Sequence, residues 1–398
     1  MRSKGKADDI RAEGKPALVP KLRFPEFREA RGWEVKAVGD VFRTTRGHVL
    51  PMSSVKDEPS PSIPYPVYSS QTKNGGLAGY FSSYLFEDAI TWTTDGANAG
   101  DVNFRSGRFY CTNVCGVLVN LQGYANACVA ALLNSVTRTH VSYVGNPKLM
   151  NGVMERIEIP FPQLAAQHLI ADFLSSADAA IAAQARKVDA LKKQKKGLMQ
   201  DLFPRKGETQ PRRRFPEFQN AGEWQEGTVA EFIITITPSK KLQTSDYRSE
   251  GKFPIVDQSQ DYICGWTNDG EAIVENGLPV IVFGDHTCVL KFVDRPFVQG
   301  ADGIKIITAK SGINTRFLFY ALESNPVIQE SYKRHFSVLK EKIISFPDSK
   351  SGEQKRITEC LTSIDDLIVA QTQKLHALKR QKRGLMQQLF PSQAEAEG

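Results

Sequence analysis

The chain is informative first through what it lacks. No stretch of its 398 residues approaches ~20 consecutive apolar side chains, so no membrane-spanning helix is expected. The basic N-terminus, Met1 to Lys6, has no apolar run behind it and does not read as a secretory signal. Gly-x-x-x-x-Gly-Lys-Ser/Thr is missing, which excludes a P-loop ATPase, and Gly75-Gly76-Leu77-Ala78-Gly79 matches no phosphate or dinucleotide fingerprint. An adenine methyltransferase of the usual kind needs Asn/Asp-Pro-Pro-aromatic; Asn146-Pro147-Lys148-Leu149 and Asn325-Pro326-Val327-Ile328 both fail it. The six cysteines form no disulfide framework, so reduced thiols and a cytoplasmic chain are expected. Cys111-x-x-x-Cys115 has no second ligand pair at close spacing, and buried free thiols are the better reading than zinc.

What the chain has is a duplication. Ala190-Leu191-Lys192-Lys193-Gln194-Lys195-Lys196-Gly197-Leu198-Met199-Gln200-Asp201-Leu202-Phe203-Pro204 returns, 187 residues on, as Ala377 to Pro391 with few changes. Arg23-Phe24-Pro25-Glu26-Phe27 returns 191 residues on as Arg214-Phe215-Pro216-Glu217-Phe218, and Trp33 as Trp224. One preserved and one diverged segment per half imply a pseudo-twofold molecule and a partner with two comparable sites.

The preserved segments read as long helices. Ile170, Ala177, Gln184, Leu191 and Leu198 are spaced by seven; Leu174, Ile181, Val188, Lys195 and Leu202 form a second register four residues later. The second copy repeats this with Ile357, Ile364, Gln371, Leu378 and Leu385, and with Leu361, Ile368, Leu375, Lys382 and Leu389. Steps of four and three make a coiled-coil seam. Its polar interruptions agree between copies, Gln184 with Gln371 and Lys195 with Lys382, which favours pairing of the two helices with each other. Each would be about 50 Å long from Ile170 or its copy onward. Antiparallel pairing would put the diverged segments at opposite ends. Gly197 and Gly384 mark a bend or a close approach in each helix.

The diverged segments, 34–160 and 225–345, carry short β-type runs broken by turn residues, such as Cys115-Gly116-Val117-Leu118-Val119 and Gly277-Leu278-Pro279-Val280-Ile281-Val282-Phe283. Weak correspondences link them: Pro66 to Gln71 with Pro254 to Ser259, Gly79-Tyr80 with Gly265-Trp266, and Gly96 with Gly284. The scaffold is shared while the polar residues differ, as expected of two related readers of different targets. Net charge is +7, but the basic excess lies in the N-terminal tail, the linker and the repeated helices. Binding of nucleic acid by the diverged segments would therefore rest on local patches such as Arg105 with Arg108, or Lys333 with Arg334 and His335.

This layout resembles the specificity subunit of type I restriction-modification enzymes. The residues that carry the likeness are the Arg-Phe-Pro-Glu-Phe copies with Trp33, Ile157 to Pro162 leading to Gln167, Ile343 to Pro347 leading to Gln354, and the Gly-Leu-Met-Gln-x-Leu-Phe-Pro tails, over about residues 20–391. Ser345-Phe346-Pro347-Asp348 departs from a clean Ile-Pro-x-Pro and leaves the start of the second helix open. The resemblance implies an α+β fold with two pseudo-symmetric β-rich target-recognition domains joined by two long antiparallel coiled-coil helices. The expected organisation is a flexible tail (1–19), recognition domain 1 (20–162), spacer helix 1 (163–204), linker (205–213), recognition domain 2 (214–347), spacer helix 2 (348–391) and a tail (392–398). It further implies a non-catalytic subunit of a phage-defence system that reads a gapped two-part target in double-stranded DNA. Two modification (methyltransferase) subunits carrying S-adenosylmethionine would dock on it, and motor-nuclease restriction subunits using ATP and Mg would join.

Candidate DNA contacts, chosen for polarity in turn-like segments, are Ser70, Gln71, Lys73, Asn98 and Arg105 in the first domain, and Gln258, Gln260, His286, Lys291 and Lys333 in the second. Each also reads as a solvated loop residue. The basic clusters Lys192–Lys196 and Lys379–Arg383 suit DNA phosphate, an acidic partner face or plain solvent. Two other classes compete: a coiled-coil adaptor that never touches DNA, and a nuclease around Asp348, Glu353 and Lys355, whose acidic residues lie too close in sequence for the usual strand hairpin.

Overall fold

A computed structural model describes residues 18–70, 73–205, 207–330 and 334–391, with only the backbone of Lys73. Gln71, Lys333 and most of both expected tails lie outside the described residues. The chain divides into two compact units, Met1–Gln184 with Lys374–Gly398, and Ala185–Gln373.

The first unit is built on β1 (Glu34–Ala37), α1 (Val38–Val41), β2 (Arg43–Arg46), β3 (Tyr65–Tyr68), β4 (Leu77–Phe81), β5 (Phe86–Thr93), β6 (Val102–Cys111), β7 (Cys115–Val119), α2 (Ala127–Val136), α3 (Asn151–Glu155) and β8 (Glu158–Phe161). From β8 the chain enters a long helix, α4 (Leu164–Leu202). The sheet runs β2-β7-β5-β6-β3-β4, and β1 pairs with β8 in a separate ribbon. Strand alternation sends Ile90, Trp92 and Leu118 to one face, where they bury against Val129, Leu132 and Leu133 of α2. The other face holds Ala89, Phe109, Cys111, Cys115 and Val117 in a smaller core. Asn126 caps α2, its side chain accepting from the Val129 amide at 3.1 Å.

The second unit repeats this order with β9 (Gln225–Thr228), α5 (Val229–Phe232), β10 (Ile233–Ile236), β11 (Phe253–Val256), β12 (Gly265–Thr267), β13 (Ile273–Val274), β14 (Val280–Gly284), β15 (Leu290–Val293), β16 (Phe297–Gln299), β17 (Ile304–Ala309), α6 (Thr315–Ser324), α7 (Phe336–Glu341), β18 (Ile343–Phe346) and α8 (Glu353–Leu389). Its sheets run β10-β17-β14-β15 and β12-β11-β16-β13. The long β5 and β6 of the first unit are each divided here. A bulge at Asp88 (φ 45°) bends β5, whereas the second unit inserts a loop over 275–279 at that place.

Strand register supports two of the three sequence correspondences and corrects the third. Pro66 pairs with Tyr80 and Pro254 with Trp266; Val67 pairs with Gly79 and Ile255 with Gly265. Gly284, however, closes β14 opposite Ile304, the place held by Thr93 opposite Cys115. Gly96 lies three residues further on, in a turn.

The long helices run antiparallel within each unit. In the first, Asp178, early in α4, meets Lys382, late in α8, at 2.5 Å. In the second, Lys195, late in α4, meets Asp365, early in α8, at 2.9 Å. Asp178 and Asp365 are 187 residues apart, as are Lys195 and Lys382, so one ion pair is made twice. The lysines that interrupt the apolar seam thus have partners, and Lys195 also donates to Glu323 at 2.8 Å. Along the seam Ile170, Leu174, Gln184, Val188, Ile357 and Leu361 are buried; Ile181, Leu191, Ile368, Gln371, Leu375 and Leu378 are half-buried. Gly197 and Gly384 face open space, so neither marks a close approach.

The repeated motifs meet each other. Phe203, in the tail that follows α4, packs edge-on against Trp224 at 6.4 Å in the second unit. Phe390, its copy after α8, packs against Trp33 at 6.4 Å in the first. The glutamines at the helix starts are buried ties: Gln167 accepts from Asn126 Nδ2 (2.9 Å) and donates to the Pro162 carbonyl (2.8 Å), while Gln354 accepts from the Asn314 amide (2.8 Å) and donates to the Pro347 carbonyl (2.9 Å). The doubtful start of the second helix resolves as a two-residue insertion. A 3-10 turn, Ser349–Ser351, and Gly352 at φ 83° take it up before α8 begins at Glu353.

Candidate functional site

In each unit most of the polar candidates lie on loops that gather at one end of the central strands, while Arg105 and Lys291 sit on the strands β6 and β15. In the first unit these loops are the segment after β3, the β5–β6 turn, the β6–β7 turn and the loop 141–149. Ser69 Oγ and Thr112 Oγ1 are 2.9 Å apart, Asn98 Nδ2 donates to the Ser70 carbonyl at 3.3 Å, and the Gly96 amide donates to the Pro147 carbonyl at 2.9 Å. Asn98 and Ser70 therefore join two of these loops. A polar cavity of about 260 Å³ opens beside them, lined by Ser69, Thr93, Asn103, Arg105, Asn134 and Arg138 among others.

Arg105 is the distinctive group on its wall. It sits on β6 opposite Ala89, on the face it shares with Asn103. Its guanidinium carbon lies 3.8 Å from the Tyr68 ring centroid, and Nε donates to Thr91 Oγ1 at 3.0 Å. Burial pushes its pKa down, against the opposing pull of Tyr68 and Cys115, yet a guanidinium stays charged. Among the described residues no carboxylate pairs with it, whereas Arg108 pairs with Glu87 (3.3 Å) and Arg138 with Asp101 (2.7 Å). A half-buried cation stacked on tyrosine and open to a polar cavity suits a phosphate oxygen or the acceptor edge of a base. Burial holds the nearby thiols protonated: Cys111 is pushed well up, and Cys115 to about 11. Among the described residues no group of three potential ligands could hold a metal.

The second unit fills the corresponding space itself. Lys291 pairs with Val282 as Asn103 pairs with Thr91, and it is buried. Its ammonium donates to the carbonyls of Asp257 (2.7 Å) and Asp261 (2.5 Å), with the Asp257 carboxylate 3.9 Å away. Burial lowers its pKa, and Asp257 pulls the other way. Lys291 thus holds the loop 257–261 from beneath instead of facing outward. Gln258 ties loops together, donating weakly to the Asp302 carbonyl (3.4 Å) and accepting from the His286 amide (3.4 Å), while Thr287 Oγ1 donates to its carbonyl (2.8 Å). Gly303 (φ 96°) leaves it room: a Cβ there would come within 2.6 Å of Gln258 Nε2. Gln260 is exposed at the loop tip, and His286 is half-buried beside Gln258. His335, fully buried, anchors the end of the cluster, its amide donating to the Asp285 carboxylate at 2.9 Å.

The pair Asp348 and Glu353 is engaged in structure. Asp348 accepts from the Lys350 amide at 3.0 Å, and Glu353, 1% exposed, pairs with Arg214 at 2.5 Å. In the basic clusters Lys195 and Lys382 turn toward the seam, whereas Lys192, Lys193, Lys196, Lys379, Arg380 and Arg383 are exposed.

Comparison with known proteins places this architecture. Residues 30–193 match the family described as type I restriction modification DNA specificity domain. A Mycoplasma pneumoniae chain named as the N-terminus of a type I specificity subunit is 36% identical over 151 residues, 37% of this chain and 78% of that one. The specificity subunit of the MjaVIII type I restriction enzyme of Methanocaldococcus jannaschii is 24% identical over 407 aligned positions, covering 93% of each chain. The fold is that of the type I restriction-modification S subunit from M. genitalium, with a TM-score of 0.66 at 16% identity over 94% of this chain and 100% of the other.

Proposed function

We propose, for a chain that belongs to the type I restriction-modification specificity subunits, that its two β-rich domains each read one half of a gapped target in duplex DNA. The observation that carries this reading is the divergence of the two loop clusters on one repeated scaffold. Strand order, helix caps and helix docking are kept, while the polar groups at the loop end differ: an open cavity with Arg105 in one, a lysine-supported loop with Gln258 and Gln260 in the other. Readout in the major groove needs such side chains against base edges, and phosphate contacts fix their register. The antiparallel helices act as a spacer that sets the gap between half-sites.

The chain carries out no chemical step in this reading. Two modification subunits holding S-adenosylmethionine dock on it, and each flips an adenine from one half-site, at an unstacking cost of a few kcal/mol. Restriction subunits using ATP and Mg join that complex. The exposed lysines and arginines late in each long helix serve DNA phosphate or an acidic partner face.

Long-read methylation mapping tests this, in a host carrying the modification subunit with and without this chain. A two-part adenine-methylation motif that needs the chain supports the reading. Absence of any such motif, with the modification subunit active alongside another specificity subunit, would overturn it.

A further inference from the structure

The two copies of the Arg-Phe-Pro-Glu-Phe motif dock their arginine differently. Arg214 uses both edges of its guanidinium. Nη1 donates to the carbonyls of Ala221 (3.0 Å) and Gly222 (3.2 Å), and the edge formed by Nε and Nη2 grips the Glu353 carboxylate at 2.8 and 2.5 Å. This is a bidentate arginine–carboxylate pair, buried in the second unit.

In the first unit Arg23 keeps the one edge and, among the described residues, lacks a mate for the other. Nη1 again donates to the carbonyl of Ala30, the counterpart of Ala221, and to that of Phe27 at 3.3 Å. The counterpart of Glu353, 187 residues earlier, is Ala166. Among the described residues Arg23 Nε is buried with no hydrogen-bond partner, and Nη2 reaches only the Arg31 carbonyl at 3.4 Å. A permanently charged group with a buried, unmatched donor is unfavourable as it stands.

Space lies where the carboxylate is missing. A cavity of about 20 Å³ is lined by Arg23, Ala166, Phe24, Phe27, Trp33 and Ile170, among others. One water needs roughly 10–15 Å³ on this measure, so the cavity takes a head group and little more. Leu22 and Gln163, also on its lining, are exposed, so it opens to the surface.

We propose that this cavity is a carboxylate-binding site, in which a carboxylate from outside the chain takes on Arg23 Nε and Nη2 the place that Glu353 takes on Arg214. Two sources share this chemistry: the acidic side chain of a docked protein, and a small free carboxylate. The site itself does not depend on the proposed function, whereas the docked source rests on it.

Thermal unfolding of the full chain in sodium formate against sodium chloride, at equal ionic strength, tests the site. A ligand that binds only the folded state raises Tm in a saturable way. Wild type should show that rise, and Ala166→Glu, which supplies its own carboxylate, should be flat to formate and melt higher. Ala166→Gln fills the cavity without the charge and should also be flat, which guards against a misfolded glutamate variant. Glu353→Ala should gain a second formate response in the other unit and so calibrates the size of the first. No saturable rise in wild type, or an equal rise in Ala166→Glu, overturns the proposal. Adding purified modification subunit separates the sources. If it abolishes the formate response, and Ala166→Glu weakens assembly by tenfold or more, a docked side chain fills the site. If it binds and the response persists, the source is a free carboxylate. If it fails to bind wild type, the proposed assembly falls while the formate result stands.

Discussion

The two recognition domains share a sheet order, a capped helix and a tryptophan dock, yet they treat the same interior position in opposite ways. In the first, Asn103 and Arg105 look into an open polar cavity; in the second, Lys291 closes the space and carries the loop above it on two hydrogen bonds. The parts that hold the helices are constrained by packing on both sides, and they repeat. The parts at the loop end are braced differently in the two domains, and they diverge. The comparison separates residues that build the frame from residues free to specify a target.

The largest effect expected from breaking this comparison lies in the frame. Glu353→Ala leaves Arg214 with half of its partners, and losing one member of a buried pair costs about 3–5 kcal/mol. Denaturant unfolding of the full chain should show that loss in one transition, and a loss below about 1 kcal/mol would mean the pair is dispensable. Arg105→Ala gives up the Tyr68 stacking and the bond to Thr91, which costs about 1–2 kcal/mol of stability. It should also weaken binding of the folded chain to a cognate duplex by about 1–3 kcal/mol. Arg108→Ala, which removes an exposed group already paired with Glu87, should do little at the same salt. Equal effects of the two would remove the case for Arg105 as a reader.

Lys291→Met should destabilise the second domain by about 1–3 kcal/mol, because two loop carbonyls lose their donor. The effect should depend on pH. Burial lowers the lysine pKa in the folded chain, so the folded state releases its proton first, and wild type should gain stability relative to the variant as pH rises toward 10.5. A pH-independent difference would place the ammonium in water. The smallest expected change is a gain. Gly197 and Gly384 face open space within helices, so alanine at either should stabilise by up to about 1 kcal/mol, measured by Tm. A loss of partner binding in the same variants would show that the missing side chain makes room for a docked chain.

Much of the frame was legible in the sequence because packing leaves periodic traces. The four-three seam, the paired tails and the matching polar interruptions all follow from two helices facing each other, and the ion pairs of Lys195 and Lys382 explain why lysine persists on that seam. Two features were missed although their signal is present. Ala166 and Glu353 differ at a repeated position, which marks an interaction made in one half alone. Lys291, taken as a turn residue among the candidates, alternates with Leu290 and Phe292 and shares the face of Val293, so a period of two places it inward on a strand. The two-residue insertion before α8 and the shift of Gly96 against Gly284 were hidden because turn lengths vary without disturbing the core. Tyr68 and Thr91, which set Arg105 in place, are distant in sequence and meet it only through the sheet.

The central claim is that the two domains read independently on a common frame. Exchange of residues 34–160 for those of a relative, followed by methylation mapping with the modification subunit present, tests it most directly. The account predicts that one half of the methylated motif changes while the other half and the gap stay fixed. A change in both halves, or in the gap alone, would contradict it.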